Sequence, residues 1–441
     1  MMDSITEEVN CNNCTERGDA FVLLDFPEKF IIGHDDMAIT TSTDRLLGFR
    51  DIPRGAHFLW VQLPDAPCRC GYWYITGEKG KVRVKQWDPY NEVLGDPASN
   101  FEYHSQRANI ESTYPKLKPY DIRGGPGVSG GSKLWPLLTD AITGPFLDRI
   151  TSKKDVDAWL VDSSDCVKTD VSSEPLPESL HADNMTATKA FKRVVGSELN
   201  FLFMQDFRDL ELLDDDRLMS SDVEDTSGRV LEVLNDKDKV TTEEDVVAEL
   251  QFTFATGTHL SMMTCLEQWW SIVLKIMLRS YRLATLRPRL CARLIKTLYA
   301  QLMYTETCVK STLEEGEEDA AGKKGPSGDR LLYQLRPIRR TRLRRALARY
   351  KKMTTKILGE STGGITPEQE QLLKEFESLE AWLLNLGWDL RSDDDSDNDR
   401  LGVANNKGFM GDEEEDDDDL PVVVMLDENG KEMGLVSFDR D

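Results

Sequence analysis

Cysteine and histidine are the residues of this chain with the plainest chemical capacity. Cys11-Asn12-Asn13-Cys14 and Cys68-Arg69-Cys70 form two pairs, and four thiolates can hold a zinc ion. The second pair has one intervening residue where structural zinc sites have about two to four, and the first lies in a polar end without any folding pattern. That spacing argues against a metal site. His34, His57, His104, His181 and His259 show no helical metal spacing, and His57 falls in a strand pattern, where it reads as a packed residue rather than a base. Gly124-Gly125-Pro126-Gly127-Val128-Ser129-Gly130-Gly131-Ser132-Lys133 imitates a phosphate-binding loop. It lacks the Gly-Lys-Ser/Thr ending and follows no good strand, so it reads as a flexible loop. Neither a Gly-x-Ser-x-Gly elbow nor a pairing of nucleophile with base is visible. The expectation is no catalysis, no metal and no cofactor.

These residues sit in a chain of 441, 39% hydrophobic and 30% charged, with a formal net charge of −25. Such a length predicts two folded domains with linkers to spare. So acidic a balance is poorly suited to neutralising a phosphate backbone, and it points to protein partners or a basic protein surface. No apolar run is long enough to span a bilayer, and the polar first residues do not make a signal peptide, so no membrane contact is expected. Eight cysteines in such a chain imply a reduced intracellular protein.

The elements that must position any site divide by period. After Met1–Arg17, which reads as disordered, a β-rich N-terminal domain is expected over residues 18–207, with strands at Phe21–Leu24, Ala56–Val61, Gly71–Ile75 and Lys81–Trp87. In the last, Val82 and Val84 alternate with Lys81, Arg83 and Lys85, the pattern of a strand with one wet face. Short strands with close turns predict a sandwich-like fold. Tyr114–Tyr120, Leu134–Ala141 and Ile150–Val161 read as helical additions, and Asp162–Asp183 as a disordered insertion. Glu198–Phe207 reads as a further strand with Leu199, Phe201 and Phe203 on one face. The acidic stretch Arg208–Ser227 then leads to a helical C-terminal domain over 228–390.

The centre of that domain is Glu244–Tyr304, the most apolar part of the chain. Val246, Leu250 and Phe254 stripe a helix that Gly257 is expected to break. Met263, Leu266, Trp270, Val273, Met277 and Tyr281 stripe a second helix, and Pro288 opens a third carrying Cys291, Leu294, Leu298 and Leu302. After a polar insertion at about 312–329, Ile338–Leu358 reads as a basic amphipathic helix. Leu343, Leu347, Tyr350 and Ile357 face inward, and Arg339, Arg340, Arg342, Arg344, Arg345 and Arg349 mostly outward. Those arginines read as a solvated face or a contact for an acidic surface, with RNA contact the weaker reading. Thr366-Pro367-Glu368-Gln369 is a capping box that opens a last helix, closed by Gly387.

Residues 391–419 form an acidic tether, whose runs at Ser392–Asp399 and Asp412–Asp419 repel themselves and stay extended. A β-strand tail follows at 420–441: Pro421-Val422-Val423-Val424-Met425-Leu426, the turn signal Asn429-Gly430, then Lys431–Phe438. Such a strand either completes a sheet within its own molecule or adds to the edge of a partner's. Ser392 and Ser396 stand three residues before Asp395 and Asp399, and Ser220 and Ser221 stand beside Asp222 and Glu224. All four are candidate phosphorylation sites for acidophilic kinases.

Three groups of motifs resemble a known family. Leu24-Asp25-Phe26-Pro27, Gly33-His34-Asp35, Gly48-Phe49 and Ile52-Pro53-Arg54-Gly55-Ala56-His57-Phe58 resemble the opening of the AAR-two family of splicing factors. Glu249-Leu250-Gln251-Phe252-Thr253-Phe254, Glu267-Gln268-Trp269 and Leu298-Tyr299-Ala300-Gln301-Leu302 are similar to its helical domain. Pro421-Val422-Val423-Val424 with Glu432-Met433-Gly434 is similar to its C-terminal end. The resemblance implies an α+β multidomain protein, a β-rich domain followed by an all-α, VHS-like one. It implies an assembly chaperone of the spliceosomal U5 snRNP, found in cytoplasm and nucleus. Such a protein binds the large U5 scaffold protein at its RNase H-like and Jab/MPN-like domains and holds off the RNA helicase. It further implies that the C-terminal end adds β-structure to the scaffold and that phosphorylation releases it, so Pro421 to Leu426 are the expected partner-binding residues. The chain departs from the family in Glu28-Lys29, where a Gly usually follows the first Pro. Its insertions and long tether are of the kind expected in a fungal member, and they leave no phosphosite assigned by motif. A VHS-type adaptor of membrane traffic is the alternative, since a helical domain alone would fit one. By itself the chain is expected to be monomeric.

Overall fold

Alternation in Gly55–Gln62 (β5) decides the layering. Ala56, Phe58 and Trp60 face one way, His57, Leu59 and Val61 the other, and all six are buried. A strand buried on both faces must lie between two layers. With Ile31–His34 (β2), Met37–Thr40 (β3), Arg69–Thr76 (β6) and Trp159–Asp162 (β10), β5 builds an antiparallel sheet in the order β10-β6-β5-β2-β3. The second sheet runs β8-β7-β1-β4-β9. Asp19–Leu24 (β1) lies at its centre, antiparallel to Gly48–Ile52 (β4) and parallel to Val82–Asp88 (β7), with Val93–Gly95 (β8) and Lys118–Pro119 (β9) at the edges. Leu59, Val61, Tyr72 and Tyr74 of the first sheet meet Phe21, Leu23, Phe49 and Ile52 of the second to form the sandwich core. This computed structural model describes residues 18–390 except 42–44, 63–68, 78–79, 121–130, 155–156, 163–165, 168–197, 204–224, 237–240, 315–336 and 361–363, and beyond them 424–426 and 432–435.

Helices cover the other face of the first sheet. Asn100–Ala108 (α1), Gly131–Thr139 (α2) and Gly144–Thr151 (α3) belong to the β-rich part. Ser227–Asn235 (α4), Glu243–Leu260 (α5), Met263–Ser271 (α6), Leu283–Leu286 (α7), Pro288–Glu314 (α8), Pro337–Gly359 (α9) and Pro367–Asn385 (α10) build the helical part. Thr242 and Asp245 close a capping box at the start of α5, and every residue from Val246 to Gly257 is buried, so this helix is surrounded. On one side Phe252 meets Trp73 and Phe146 at ring distances of 5.8 and 5.9 Å, and Thr256 Oγ1 accepts from Trp73 Nε1 at 3.0 Å. On the other, Phe254 meets Trp269 at 5.4 Å and Tyr304 at 6.1 Å. One apolar cluster therefore runs from Phe58 and Trp73 through α5 to Leu298, Leu347 and Leu379. The β-rich and helical parts, separate domains in the sequence reading, share that core within one compact unit, Met1–Arg391. The unit Ser392–Asp441 contains Val424–Leu426 (β13), paired antiparallel with Glu432–Leu435 (β14).

Several expectations need correcting. Gly257 does not break its helix. α5 continues to Leu260, and a Cβ at Gly257 would come within 2.9 Å of the Leu266 side chain, so the glycine is where α6 crosses closely. Arg83 is not on a wet face but buried, because that face of β7 is turned to the first sheet, where Arg83 stands over the Tyr74 ring and donates to Ile75 O while pairing with Asp19. Ile150–Val161 is no helix: α3 ends at Ser152, whose φ is 55°, and Trp159–Asp162 is a strand with Trp159 and Val161 buried. Tyr114–Tyr120 is one 3-10 turn, Tyr114–Lys116, followed by β9. Within the stretch taken as a disordered insertion, Asp162 ends β10 and Cys166–Val167 (β11) pairs with Glu198–Leu199 (β12). Of the strand expected over Glu198–Phe207, the described residues 198–203 show strand only at Glu198–Leu199, although Leu199, Phe201 and Phe203 are buried as their alternation requires. Beyond Ser271 the second helix loosens into a π turn, Ile272–Ile276, and a 3-10 turn, Met277–Arg279, and Met263 at its start is exposed.

Candidate functional site

A polar cluster lies inside the sandwich, where apolar residues would be routine. Asp35 occupies the two-residue turn between β2 and β3 with φ 56°, a conformation that Asp tolerates better than most residues. Its Oδ1 accepts from Phe58 N at 2.8 Å, and its Oδ2 accepts from His57 Nδ1 at 2.7 Å and Tyr120 OH at 2.6 Å. His57 Nε2 lies 2.9 Å from Pro53 O. A carboxylate and a carbonyl can only accept, so both nitrogens of His57 donate and the ring is an imidazolium. Burial works to lower the pKa of His57, but the Asp35 carboxylate prevails and raises it. In the same way burial works to raise Asp35, and the charge on His57 holds it below its ordinary value. Next to this pair His34 Nε2 meets Tyr74 OH at 2.5 Å, and burial pushes His34 down to about 4, so it is neutral. Arg83 stands 5.1 Å from the Tyr74 ring and pairs with buried Asp19. Two carboxylates face two cations, and the network balances.

Ligand-type atoms of His34, Asp35 and His57 lie within 4.8 Å of one another. A metal needs a nitrogen lone pair, and His57 has none to give while both nitrogens donate. Since Asp35 is fully buried and His57 nearly so, no substrate reaches them. The arrangement holds a proton and ties the two sheets together. Cys70, from one of the cysteine pairs, is buried, and burial pushes its thiol up to about 12.

The helical motif residues are polar clips of the same kind. Gln251 Oε1 accepts from Ala141 N at 2.9 Å while its Nε2 donates to Asp140 Oδ1 at 2.6 Å, tying α5 to the end of α2. Gln301 accepts from Trp269 Nε1 at 2.8 Å and donates to Leu250 O at 3.0 Å, tying α8 to α6 and α5. Glu249 and Gln268 hold backbone groups of residues 202 and 203. Sequence reasoning passed over these as chemistry. Their signal was a polar residue inside an apolar stripe, which must find a partner once buried.

Of the residues expected to bind a partner, Val424, Met425 and Leu426 form β13, in a two-stranded sheet that leaves β13 one edge unused by β14. Pro421, Val422 and Val423 lie outside the described residues, as do Ser220, Ser221, Ser392 and Ser396. Cys11, Cys14, Cys68 and Gly124–Gly130 lie outside them too, while Gly131, Ser132 and Lys133 open α2.

Residues 17–152 match the family model described as the AAR2 N-terminal domain, and residues 217–391 match that of the AAR2 C-terminal repeat region. A protein of Caenorhabditis elegans described as Protein AAR2 homolog is 30% identical over 152 residues, which is 32% of this chain and 39% of that protein. The matched part therefore spans about two fifths of that relative's length.

Proposed function

Since the chain belongs to the AAR2 family, we propose that it is a non-catalytic assembly factor of the spliceosomal U5 snRNP in pre-mRNA splicing. The observation that carries this reading is the order and extent of the two family matches, which together cover most of the compact unit. On this reading the chain binds the large U5 scaffold protein at its RNase H-like and Jab/MPN-like domains, in cytoplasm and nucleus, and holds off helicase and RNA until assembly is complete. The helical part serves as a VHS-like binding module, and the β13 strand adds to a sheet edge of the scaffold. A formal charge of −25 supports a protein surface over a phosphate backbone as the main contact. Among the described residues no helix is long and apolar enough to cross a membrane. The buried polar groups of the sandwich are spent on holding the fold, which supports a binding role over a catalytic one.

Affinity capture of the tagged full-length chain from its own cells, followed by mass spectrometry, tests the proposal. Recovery of the large U5 scaffold protein is the expected result. Recovery of clathrin machinery instead would carry the membrane-traffic alternative, and recovery of neither overturns the assembly reading.

A further inference from the structure

Both sheets of the sandwich end in edge strands, and an unguarded edge is a template on which another strand can add. The chain itself blunts most of these edges. β9 consists of Lys118 and Pro119, and proline has no N–H to offer. In β8, Leu94 N already donates to Tyr72 OH at 2.6 Å. In β10, Leu160 O accepts from Lys153 Nζ at 2.6 Å. β3, at the end of the first sheet, has neither charge nor proline and reads Met37-Ala38-Ile39-Thr40. Its register with β2 fixes which groups face outward. His34 pairs with Met37 across the two-residue turn, and Thr41 N donates to Phe30 O at 2.9 Å, so the hydrogen-bonded pairs are His34–Met37, Ile32–Ile39 and Phe30–Thr41. The N–H and C=O groups of Ala38 and Thr40, which alternate with these, point away from β2, and among the described residues no hydrogen bond takes them. Met37 and Ile39, like Phe30 and Leu46, pack against the sandwich core but are only partly buried. A strand added beyond β3 extends that core with its own apolar side chains at every second residue. Asp36 stands at the start of the edge, half-buried, with its Oδ1 enclosed and without a hydrogen-bond partner. Asp19, Asp25 and Asp35 face Arg83, Arg45 and His57, whereas Asp36 has no cation beside it among the described residues.

We propose that the outer edge of β3 is a docking site for an extended segment of a protein partner, apolar at alternate positions and carrying a lysine or arginine that reaches Asp36. The backbone groups of Ala38 and Thr40 hold its backbone, and Met37 and Ile39 meet its apolar side chains. Charge selects this occupant over a second copy of the chain. At a formal charge of −25 two copies repel, and β3 brings no cation that could answer Asp36. The site goes beyond the assembly role, because the edge recognises a backbone and a charge whichever protein supplies them. It is also the converse of β13, which gives a strand where β3 receives one.

The probe is a phage-displayed library of random short peptides, selected on the full chain. Ala38→Pro removes an outward N–H while leaving the bonds to β2, and proline is tolerated at such edge positions. Selected peptides should alternate apolar residues and carry a lysine or arginine toward one end. They should bind the unaltered chain about tenfold or more tighter than the Ala38→Pro variant, the cost of a backbone hydrogen bond left unmade. Asp36→Asn should abolish the preference for the basic residue. Failure to select any saturable binder, or equal binding to the Ala38→Pro variant, overturns the proposal, and an unchanged preference in Asp36→Asn overturns its charge assignment. A dimer in sedimentation that Ala38→Pro dissolves puts a second copy on the edge and overturns the partner segment. Because proline can also disturb β3, amide exchange on the unaltered protein decides independently. The Ala38 and Thr40 amides should exchange faster than those of Met37 and Ile39 in the free chain, and slow about tenfold or more with a selected peptide bound. Exchange at Ala38 and Thr40 that the peptide leaves unchanged overturns the site.

Discussion

The proton on His57 is held because both ring nitrogens face acceptors, the Asp35 carboxylate and the Pro53 carbonyl. Removing one member of a buried ion pair strands the other, at about 3–5 kcal/mol. Asp35→Ala should therefore lower stability by about that much in urea melts, and a loss below about 1 kcal/mol would show that the pair is not a buried charge. Around this pair the pH dependence has opposed parts. His57, raised, contributes stability that is complete below 6.5 and is lost as pH rises through its folded value above that. His34 has a folded pKa of about 4, so between 6.5 and 4 the unfolded chain binds a proton that the folded chain refuses. Stability falls with pH across that window by on the order of 3 kcal/mol. Asp36 is raised to about 6, chiefly by burial, so its contribution is lost as pH rises between 3.8 and 6. Relative to the unaltered chain, His34→Gln should gain stability as pH falls from 6.5 to 4, and Asp36→Asn should gain as pH rises from 3.8 to 6. Urea midpoints across this range measure both tilts. Parallel curves for all three proteins would mean that neither group titrates as its burial demands.

Helix α5 carries the argument at the scale of elements. Its sides meet the β-sheet, α6 and α8, so its polar residues are placed as ties and its glycine as a crossing point. Alanine in place of Gly257 gains about 1 kcal/mol of helix propensity. Its Cβ would also meet Leu266 Cγ and Cδ2 at 2.9 Å and Leu266 N at 3.0 Å, an overpacking that costs about 1–3 kcal/mol. The backbone contact cannot be relieved by turning a side chain, so the clash should win. Gly257→Ala should show a net loss of up to about 2 kcal/mol by thermal or urea unfolding, and a stabilised variant would mean that α6 can move away freely. By contrast α10 is specified locally. Thr366 and Gln369 close its capping box, Pro367 occupies its first turn, and Gly387 takes φ 84° after it.

At the scale of the whole molecule the chain consists of a compact unit up to Arg391 and a second unit from Ser392. If β13 supplies an edge to the scaffold protein, deleting residues from Leu420 onward should weaken binding at least tenfold. The melting temperature of the compact unit should stay unchanged, because the tail belongs to a separate unit. Binding of full affinity after that truncation removes the tail from the interface. Phosphates on Ser392, Ser396, Ser220 or Ser221 would each add about −1.5 to −2 charges to segments already acidic. Screening limits their reach to about 8 Å at physiological salt, so only contacts formed by those segments should respond. Ser→Glu variants at the four positions should weaken scaffold binding at low salt while Ser→Ala variants leave it unchanged. Identical binding by every variant at low and high salt removes these serines as a release switch.

Properties that live within a few residues were legible in the amino-acid sequence. The β-rich to helical order follows from hydrophobic periods, the start of α10 from its capping box, and the start of α8 from Pro288. The family was legible too, in motifs that lie in order along the chain. Only the tertiary structure decided what those motif residues do. Gly257 reads as a helix breaker until α6 is laid across it, and Arg83 reads as solvated until the facing sheet brings Tyr74 and Ile75 over it. His57 reads as packing until Asp35, 22 residues away, is folded against it. The physical reason is the same in each case. A buried polar group or a close crossing is settled by its nearest atoms in space, and here those atoms belong to other elements whose approach no local period encodes.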